Sequence, residues 1–232
     1  MDSLHPQAGL AAMRLLKRAG VQVVFPQDQS CCGQPARNSG YAHDALEVAR
    51  HQLDAFPQDW PIIVASGSCA GMMRHHYPKM FKGLDDEVKA NAFAARIYEL
   101  TWFLVHVLKV KLHDYGPKIT LAMHTSCSSR REMGVVEEPL SLVKQLASVT
   151  VIPLARESEC CGFGGTFAIK QPEISGAMVT DKVASVVDSK VDVLVSGDCG
   201  CLMNIGGALA KAGHTIRTCH IAEFLWERSH EQ

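Results

Sequence analysis

Two stretches decide how this chain folds. They are Val191-Asp192-Val193-Leu194-Val195-Ser196-Gly197-Asp198-Cys199 and, far upstream, Pro61-Ile62-Ile63-Val64-Ala65-Ser66-Gly67-Ser68-Cys69. Each is a short apolar run that breaks into a small polar turn of the form Ser-Gly-x-Cys. Such a run reads as a buried strand, and the glycine-rich segment after it as the start of a helix. Around both, helical and strand-like patterns alternate. Helices are expected over residues 10–18 (closed by Gly20), 42–56, 140–146, 175–187 and 201–210. Strands are expected over 21–25, 62–65, 119–123, 149–153 and 191–195. Alternation of this kind predicts an α/β fold with parallel strands, helices on the sheet faces, and ligand sites at the carboxyl ends of the strands.

The flanking sequence doubles the signal. Cys31-Cys32-Gly33 returns as Cys160-Cys161-Gly162, 129 residues later. Cys69 follows Cys32 by 37 residues and Cys199 follows Cys161 by 38. Val21-Gln22-Val23-Val24-Phe25-Pro26 matches Val149-Thr150-Val151-Ile152-Pro153, and the segment from Arg96 to Leu104 matches that from Arg217 to Leu225. Landmarks kept in one order predict two tandem repeats of a parallel-sheet βα unit, related by pseudo-twofold duplication. The first repeat is expected over residues 1–116 and the second over 117–232, joined through Lys111-Leu112-His113-Asp114-Tyr115-Gly116-Pro117-Lys118. The second repeat opens with the run 119–123 and His124-Thr125-Ser126-Cys127, 33 residues before Cys160. Counting the same distance back from Cys31 passes the start of the chain. The first repeat therefore lacks its initial strand and leading cysteine, by truncation or by loss of a ligand, and the sequence leaves both open.

Bulk properties narrow the class. A formal charge of −1 over 232 residues offers no basic stripe for nucleic acid. No apolar run reaches the roughly 20 residues that span a bilayer, so no transmembrane segment is expected. Nine cysteines, an odd number, without a secretory leader pattern argue for reduced thiols in the cytoplasm rather than a disulfide framework. The second half offers Cys127, Cys160, Cys161, Cys199 and Cys201 from three separate stretches. Soft thiolates select zinc, copper(I) or iron–sulfur clusters, and five exceed the need of one tetrahedral zinc. Adjacent thiolates reach different irons of a larger cluster more easily than they chelate one ion. Gly162, Gly164 and Gly165 would let backbone amides approach cluster sulfur.

Four segments carry a resemblance: residues 31–40, His124-Thr125-Ser126-Cys127, residues 160–167 and residues 198–207. They resemble the lactate utilization A proteins, within the cysteine-rich CCG-domain group that also includes a heterodisulfide reductase component. The resemblance spans nearly the whole chain. It implies a cytoplasmic iron–sulfur subunit that transfers electrons in a complex oxidising L-lactate to pyruvate. Two other subunits, including an iron–sulfur protein, are implied as partners. It also implies a non-cubane [4Fe-4S] cluster held by a C…CC…CxxC pattern. Carried over to this chain, the second site comprises Cys127, Cys160 and Cys161, with Cys199 and Cys201 standing for the final pair in a C-x-C spacing. The first site comprises only Cys31, Cys32 and Cys69, with Met72 where the final cysteine would fall. The second half is expected to be the competent site, and the first a labile or smaller cluster or a scaffold.

Plainer readings stand beside these. Cys219 reads as a packing cysteine on a helical face, His124 as a satisfied loop histidine, and His75-His76 as solvated surface able to supply a missing ligand. Arg130-Arg131 reads as a solvated helix start. The glycines after Cys161 are not a dinucleotide fingerprint. A zinc-stapled structural or interaction protein without redox activity is the alternative function, and a vicinal-dithiol catalyst a third.

Overall fold

Strand β5 (Val193–Ser196) is buried along its whole length and has parallel neighbours on both sides. The computed structural model describes residues 5–231. In it, β3 (Ile119–His124), β4 (Val149–Val151), β5 and β6 (Arg217–His220) form a four-stranded parallel sheet in the order β4-β3-β5-β6. Strands β1 (Ile62–Val64) and β2 (Ile97–Glu99) form a separate parallel pair. The α/β class with parallel strands is as the sequence predicts.

Side chains of the larger sheet alternate between two cores, as the pleat requires. Leu121, Met123, Val193 and Val195 face one core, together with α1 (Pro6–Arg18) and α12 (Ile221–Ser229). Ala122 and Leu194 face the other, beneath α10 (Pro172–Asp188) and α11 (Cys199–Lys211). A sheet covered on both faces explains why its two central strands, β3 and β5, read as nearly continuous apolar runs. A third core joins β1 and β2 to α3 (Ala42–Asp54), α6 (Glu87–Ala95) and the helical run that carries Cys69. That run starts as α4 (Gly67–Gly71), widens through a π-helical stretch Met72–His76, and ends as α5 (Tyr77–Met80). Short α2 (Gln34–Asn38), α7 (Leu100–Trp102), α8 (Glu137–Val143) and α9 (Phe167–Lys170), together with two further π-helical stretches, Phe103–Val107 and Ser129–Met133, complete the described helices.

Several expectations need correction. Residues 21–25 form no strand; Val24 and Phe25 are exposed. The matching segment β4 pairs with β3, and among the described residues the first half has no strand in the place of β3 to receive it. Cys219 lies in strand β6, not on a helical face, although it is buried as a packing cysteine should be. Strands β2 and β6 are absent from the sequence expectations, because Ile97-Tyr98-Glu99 is too short and Arg217-Thr218-Cys219-His220 too polar to show a strand pattern. The helix expected over 140–146 begins earlier, with Glu137 and Glu138 in its first turn, where the helix dipole favours carboxylates.

The joint between the halves is held by charge. Arg228 of α12 and Asp114 form a buried ion pair at 2.6 Å. Asp114 also accepts from the amides of Gly116 and Ser148, and Arg228 donates to the Pro117 carbonyl. Gly116 leaves room for this pair, since an added Cβ would lie 2.0 Å from Arg228 Nη1 and would push the guanidinium aside. The helix α1, from the start of the chain, packs on α12, and Arg18 donates to Ser229 Oγ at 2.6 Å. Removing one member of a buried, hydrogen-bonded ion pair leaves the other uncompensated. Asp114→Asn should therefore cost about 3–5 kcal/mol, read as a lowered urea midpoint with an unchanged m-value.

Candidate metal centre

Both cysteine pairs sit in the same kind of turn. Gly33 has φ +80° and Gly162 φ +82°, the left-handed region that side chains disfavour. A Cβ on Gly33 would meet the Ala45 carbonyl oxygen at 3.3 Å, and one on Gly162 the Ser175 carbonyl oxygen at 2.7 Å. Ala45 and Ser175 lie in the helices that follow the two turns, α3 and α10. The second cysteine of each pair is held through its own carbonyl. Tyr77 Oη donates to the Cys32 carbonyl at 3.0 Å, and Asn204 Nδ2 to the Cys161 carbonyl at 2.8 Å. Gly164 and Gly165 also have positive φ, at +50° and +62°.

In the second half, sulfurs from three stretches meet in series. Cys127, on the turn after β3, reaches Cys160; Cys160 reaches Cys161; Cys161 reaches Cys201 on the first turn of α11. Cys160 is the thiolate of the set, driven down to about 2 by the thiols of Cys127 and Cys161 and by the Gly162 amide, against its burial. That amide lies 3.4 Å from the Cys160 sulfur. Cys127 and Cys161 are pushed up, each first by the thiol neighbour that shares its proton. Cys201 is lowered to about 7, first by Cys161. Cys199 stands outside this series. It is buried, no thiol bonds to it, and burial raises it to about 12.

His124 closes the inner side of the group. Its ring comes within 4.8 Å of the Cys161 and Cys201 sulfurs. It is 1% exposed, and both ring nitrogens are buried without a hydrogen-bond partner. The expectation of a satisfied loop histidine is therefore corrected: His124 ends β3, and among the described residues its buried ring has no partner in ordinary hydrogen-bond geometry, although it lies close enough to Cys201 to help lower it. Arg130 is likewise no solvated helix start; it pairs with Glu157 at 2.6 Å, and Thr125 donates to the same carboxylate.

The first half gathers three thiols. Cys32 is buried between Cys31 and Cys69, and its thiol holds both neighbours below the usual thiol range, Cys31 at about 6. Met72 is fully buried in the apolar core. His75 and His76 are half-buried rather than solvated, and His76 lies 3.4 Å from Glu132.

Three features escape a reading of the sequence. Asp198 accepts from Ser66 Oγ and Ser68 Oγ, each at 2.6 Å, and from Ser126 Oγ, so one buried carboxylate ties the first-half turn before Cys69 to the segment before Cys127. Glu99 is buried, accepts from Thr101 Oγ1 at 2.6 Å and the Trp102 amide, and is raised to about 7 by desolvation. It shares a small cavity with Thr101, His124, Thr125, Ser126 and Ser129. Lys182 of α10 is 1% exposed and donates to the carbonyls of Arg156 and Glu157, in the loop that carries Cys160. Only the serine-rich Ser66-Gly67-Ser68 and Thr125-Ser126 turns hint at such bonding.

The donor set fits a soft metal or an iron–sulfur cluster. Four sulfurs around one tetrahedral zinc would lie about 3.8 Å from each other, given Zn–S bonds near 2.3 Å. Among the described residues, the group drawn together within 4.8 Å here is His124, Cys161 and Cys201, with Cys160 and Cys127 strung beyond it. A body larger than one ion spans such a row more easily.

Two outcomes follow for the supporting residues. Gly162→Ala should cost about 1–3 kcal/mol through a strained φ and its clash with Ser175, measured by urea unfolding. Gly20→Ala, at φ +85° with open space around it, should cost less. Glu99 binds its proton more tightly folded than unfolded, so its contribution to stability falls as pH rises from about 4.5 to about 7. Glu99→Gln removes that loss. Its stability relative to the parent should rise by about 3 kcal/mol between pH 4 and pH 8, read from paired unfolding curves.

A cysteine-rich domain model, CCG, matches residues 1–74 and 121–206. Lactate utilization protein A of Geobacillus sp. (strain WCH70) is 43% identical over 231 residues, covering 98% of this chain and 96% of that protein. Its counterpart in Exiguobacterium sp. (strain ATCC BAA-1283 / AT1b) is 46% identical over 233 residues, covering 97% and 93%. Lactate utilization protein A 2 of Bacillus cereus (strain 03BB102) is 42% identical over 228 residues, with the same coverage. Paired cysteine turns of one geometry and identity of this extent lead to one conclusion: the chain belongs to the cysteine-rich CCG-domain family, among the lactate utilization A proteins.

Proposed function

We propose that this chain is the iron–sulfur subunit of a complex oxidising L-lactate to pyruvate, with Cys127, Cys160, Cys161 and Cys201 holding its cluster. The observation that carries the reading is the meeting of these sulfurs, from three distant stretches, in one continuous row. Names of the relatives supply the substrate. A bound iron–sulfur cluster would take up and release electrons one at a time, the chemistry needed to drain the two electrons that lactate oxidation releases. The chain's own residues orient and shield. The Gly162 amide points at the Cys160 sulfur, Gly164 and Gly165 keep the loop close, and Asn204 fixes the Cys161 carbonyl. His124 covers the buried end of the row.

The same reading includes the finer expectations. Residues 1–116 and 117–232 are two copies of one unit, a view supported by the equivalent turns at Gly33 and Gly162 and by the two segments that the family model matches. A non-cubane [4Fe-4S] cluster is the type proposed. Cys31, Cys32 and Cys69 form a weaker second site. Cys199 joins the ligand set only by turning its side chain toward the sulfur row. Two partner subunits, one an iron–sulfur protein, complete the complex, in the cytoplasm. The cysteines are free thiols, as ligands to a cluster must be, and no described helix is long and apolar enough to cross a membrane.

The compact group His124, Cys161 and Cys201 favours a second reading, a structural zinc. Metal and sulfide analysis of protein purified without oxygen separates the two. Iron and sulfide in equal amounts, with an EPR signal on reduction, is the expected result; one zinc and no sulfide would replace it with the zinc reading. In single variants reconstituted anaerobically, Cys160→Ser should lose most of the iron and Cys31→Ser little. The reverse pattern would overturn the ranking of the two sites, and normal growth on lactate after gene deletion would remove the substrate assignment.

A further inference from the structure

The two cysteine turns rest on the same scaffold but on different charges. Seven residues beyond the carbonyl that crowds each glycine, α3 presents Gln52 and α10 presents Lys182. Both side chains are buried, at 3% and 1% exposure. Each bonds to the backbone just upstream of its cysteine pair. Gln52 Oε1 accepts from the Ser30 amide at 2.9 Å, while Lys182 Nζ donates to the carbonyls of Arg156 and Glu157. One centre is underlain by a neutral amide and the other by an ammonium.

The ammonium has no carboxylate partner within ion-pair distance among the described residues. Nearby charges are spent on each other: Arg156 pairs with Glu159 and Asp181, and Glu157 with Arg130. A buried charge bonded only to carbonyl dipoles is costly unless an opposite charge lies close. The loop leads directly into Cys160 and Cys161, and Cys161 lies close enough to Lys182 to act on its charge.

We propose that Lys182 is a positioning residue for the second thiolate centre, clamping the loop of Cys160 and Cys161 and supplying the fixed positive charge that favours the reduced state of the bound cluster. The proposal rests on the reading of that group as an iron–sulfur site. A positive charge held in a low-dielectric interior stabilises the more negative member of a redox pair. Gln52 gives the first group no such field, so the two centres differ in potential as well as in ligand number. The electron taken up comes from an external donor, which is oxidised in turn, and no bond or proton changes place at Lys182.

The test uses the full chain, reconstituted anaerobically with ferrous iron and sulfide, and titrated by EPR against dithionite-poised mediators. A parent protein with no reducible centre would overturn the underlying reading and this proposal together. With a reducible parent, Lys182→Gln should retain its iron yet show an about tenfold lower ratio of reduced to oxidised cluster at the parent's midpoint, a shift of about 59 mV for one electron. Lys182→Arg, which keeps the charge, should stay within twofold. Lys182→Met should show the same tenfold shift and a lower melting midpoint, since it loses the clamp as well. If Lys182→Gln stays within twofold of the parent while Lys182→Met alone shifts, Lys182 only braces the loop and the proposal fails. A tenfold shift in Lys182→Arg would also overturn it, because charge would then not be the cause.

Discussion

The pairing of β3 with β5 is the constraint on which the site depends. In this parallel ladder His124 lies opposite Ser196, at the carboxyl ends of both strands. The chain beyond each strand then has a few residues in which to turn. Cys127 comes three residues after His124, and Cys201 five after Ser196, so the ladder brings the two ends of the sulfur row to the same edge of the sheet. A slip of one residue would send every side chain of β5 to the opposite core. Because both faces of this strand are buried under helices, such a slip would break two cores at once.

Gathering thiols this closely has a cost, and the surroundings show how it is met. Buried sulfurs disfavour the thiolate, yet Cys160 is held as one because two thiols and the Gly162 amide turn toward it. The amide can do so only while the backbone keeps φ at +82°, and only glycine fits under the Ser175 carbonyl there. The thiol neighbours dominate, Cys160 raising Cys127 and Cys161 lowering Cys201, and the nearby Asp198 adds a smaller negative field that opposes ionisation of both. Three serine hydroxyls and the Ser68 amide absorb that charge and use it to join the two halves. The polar groups around the sulfurs therefore serve two ends, binding the loops together and setting the charge the sulfurs feel.

Much of this is legible in the residues. The runs 119–123, 149–153 and 191–195 each contain a strand, β3, β4 and β5, because apolar residues there pack against the cores; in the edge strand β4 Thr150 stays exposed. The cysteine pairs announce their turns through the glycine that follows. What stays hidden depends on partners distant in sequence. Residues 21–25 have as good a strand composition as β4, and differ only in having no neighbour to bond. Cys199 and Cys201 look like one chelating pair, but two positions apart on a helix point in different directions, and only Cys201 faces the sulfur row. His124 looks like an ordinary loop residue, since nothing in its neighbourhood reveals that β5 and α11 will bury both of its nitrogens. Lys182 is hidden for a similar reason: a lysine on an amphipathic helix normally lies at the surface.

The two halves thus share a backbone solution while diverging in what surrounds the sulfur. In the first, Cys31 is exposed, three thiols meet, and a neutral Gln52 lies beneath them. In the second, four thiols form a row, Cys161 and Cys201 lie near a buried histidine, and the buried Lys182 bonds to the loop before Cys160. Thiolates repel each other, so adding a fourth without added positive charge would raise the cost of ionising all of them. Lys182 offsets that repulsion where the sulfur count is higher, and its counterpart is neutral where the count is lower. On this view charge follows ligand number: the half that gathers more thiols carries the buried lysine, and the half with fewer carries the neutral amide.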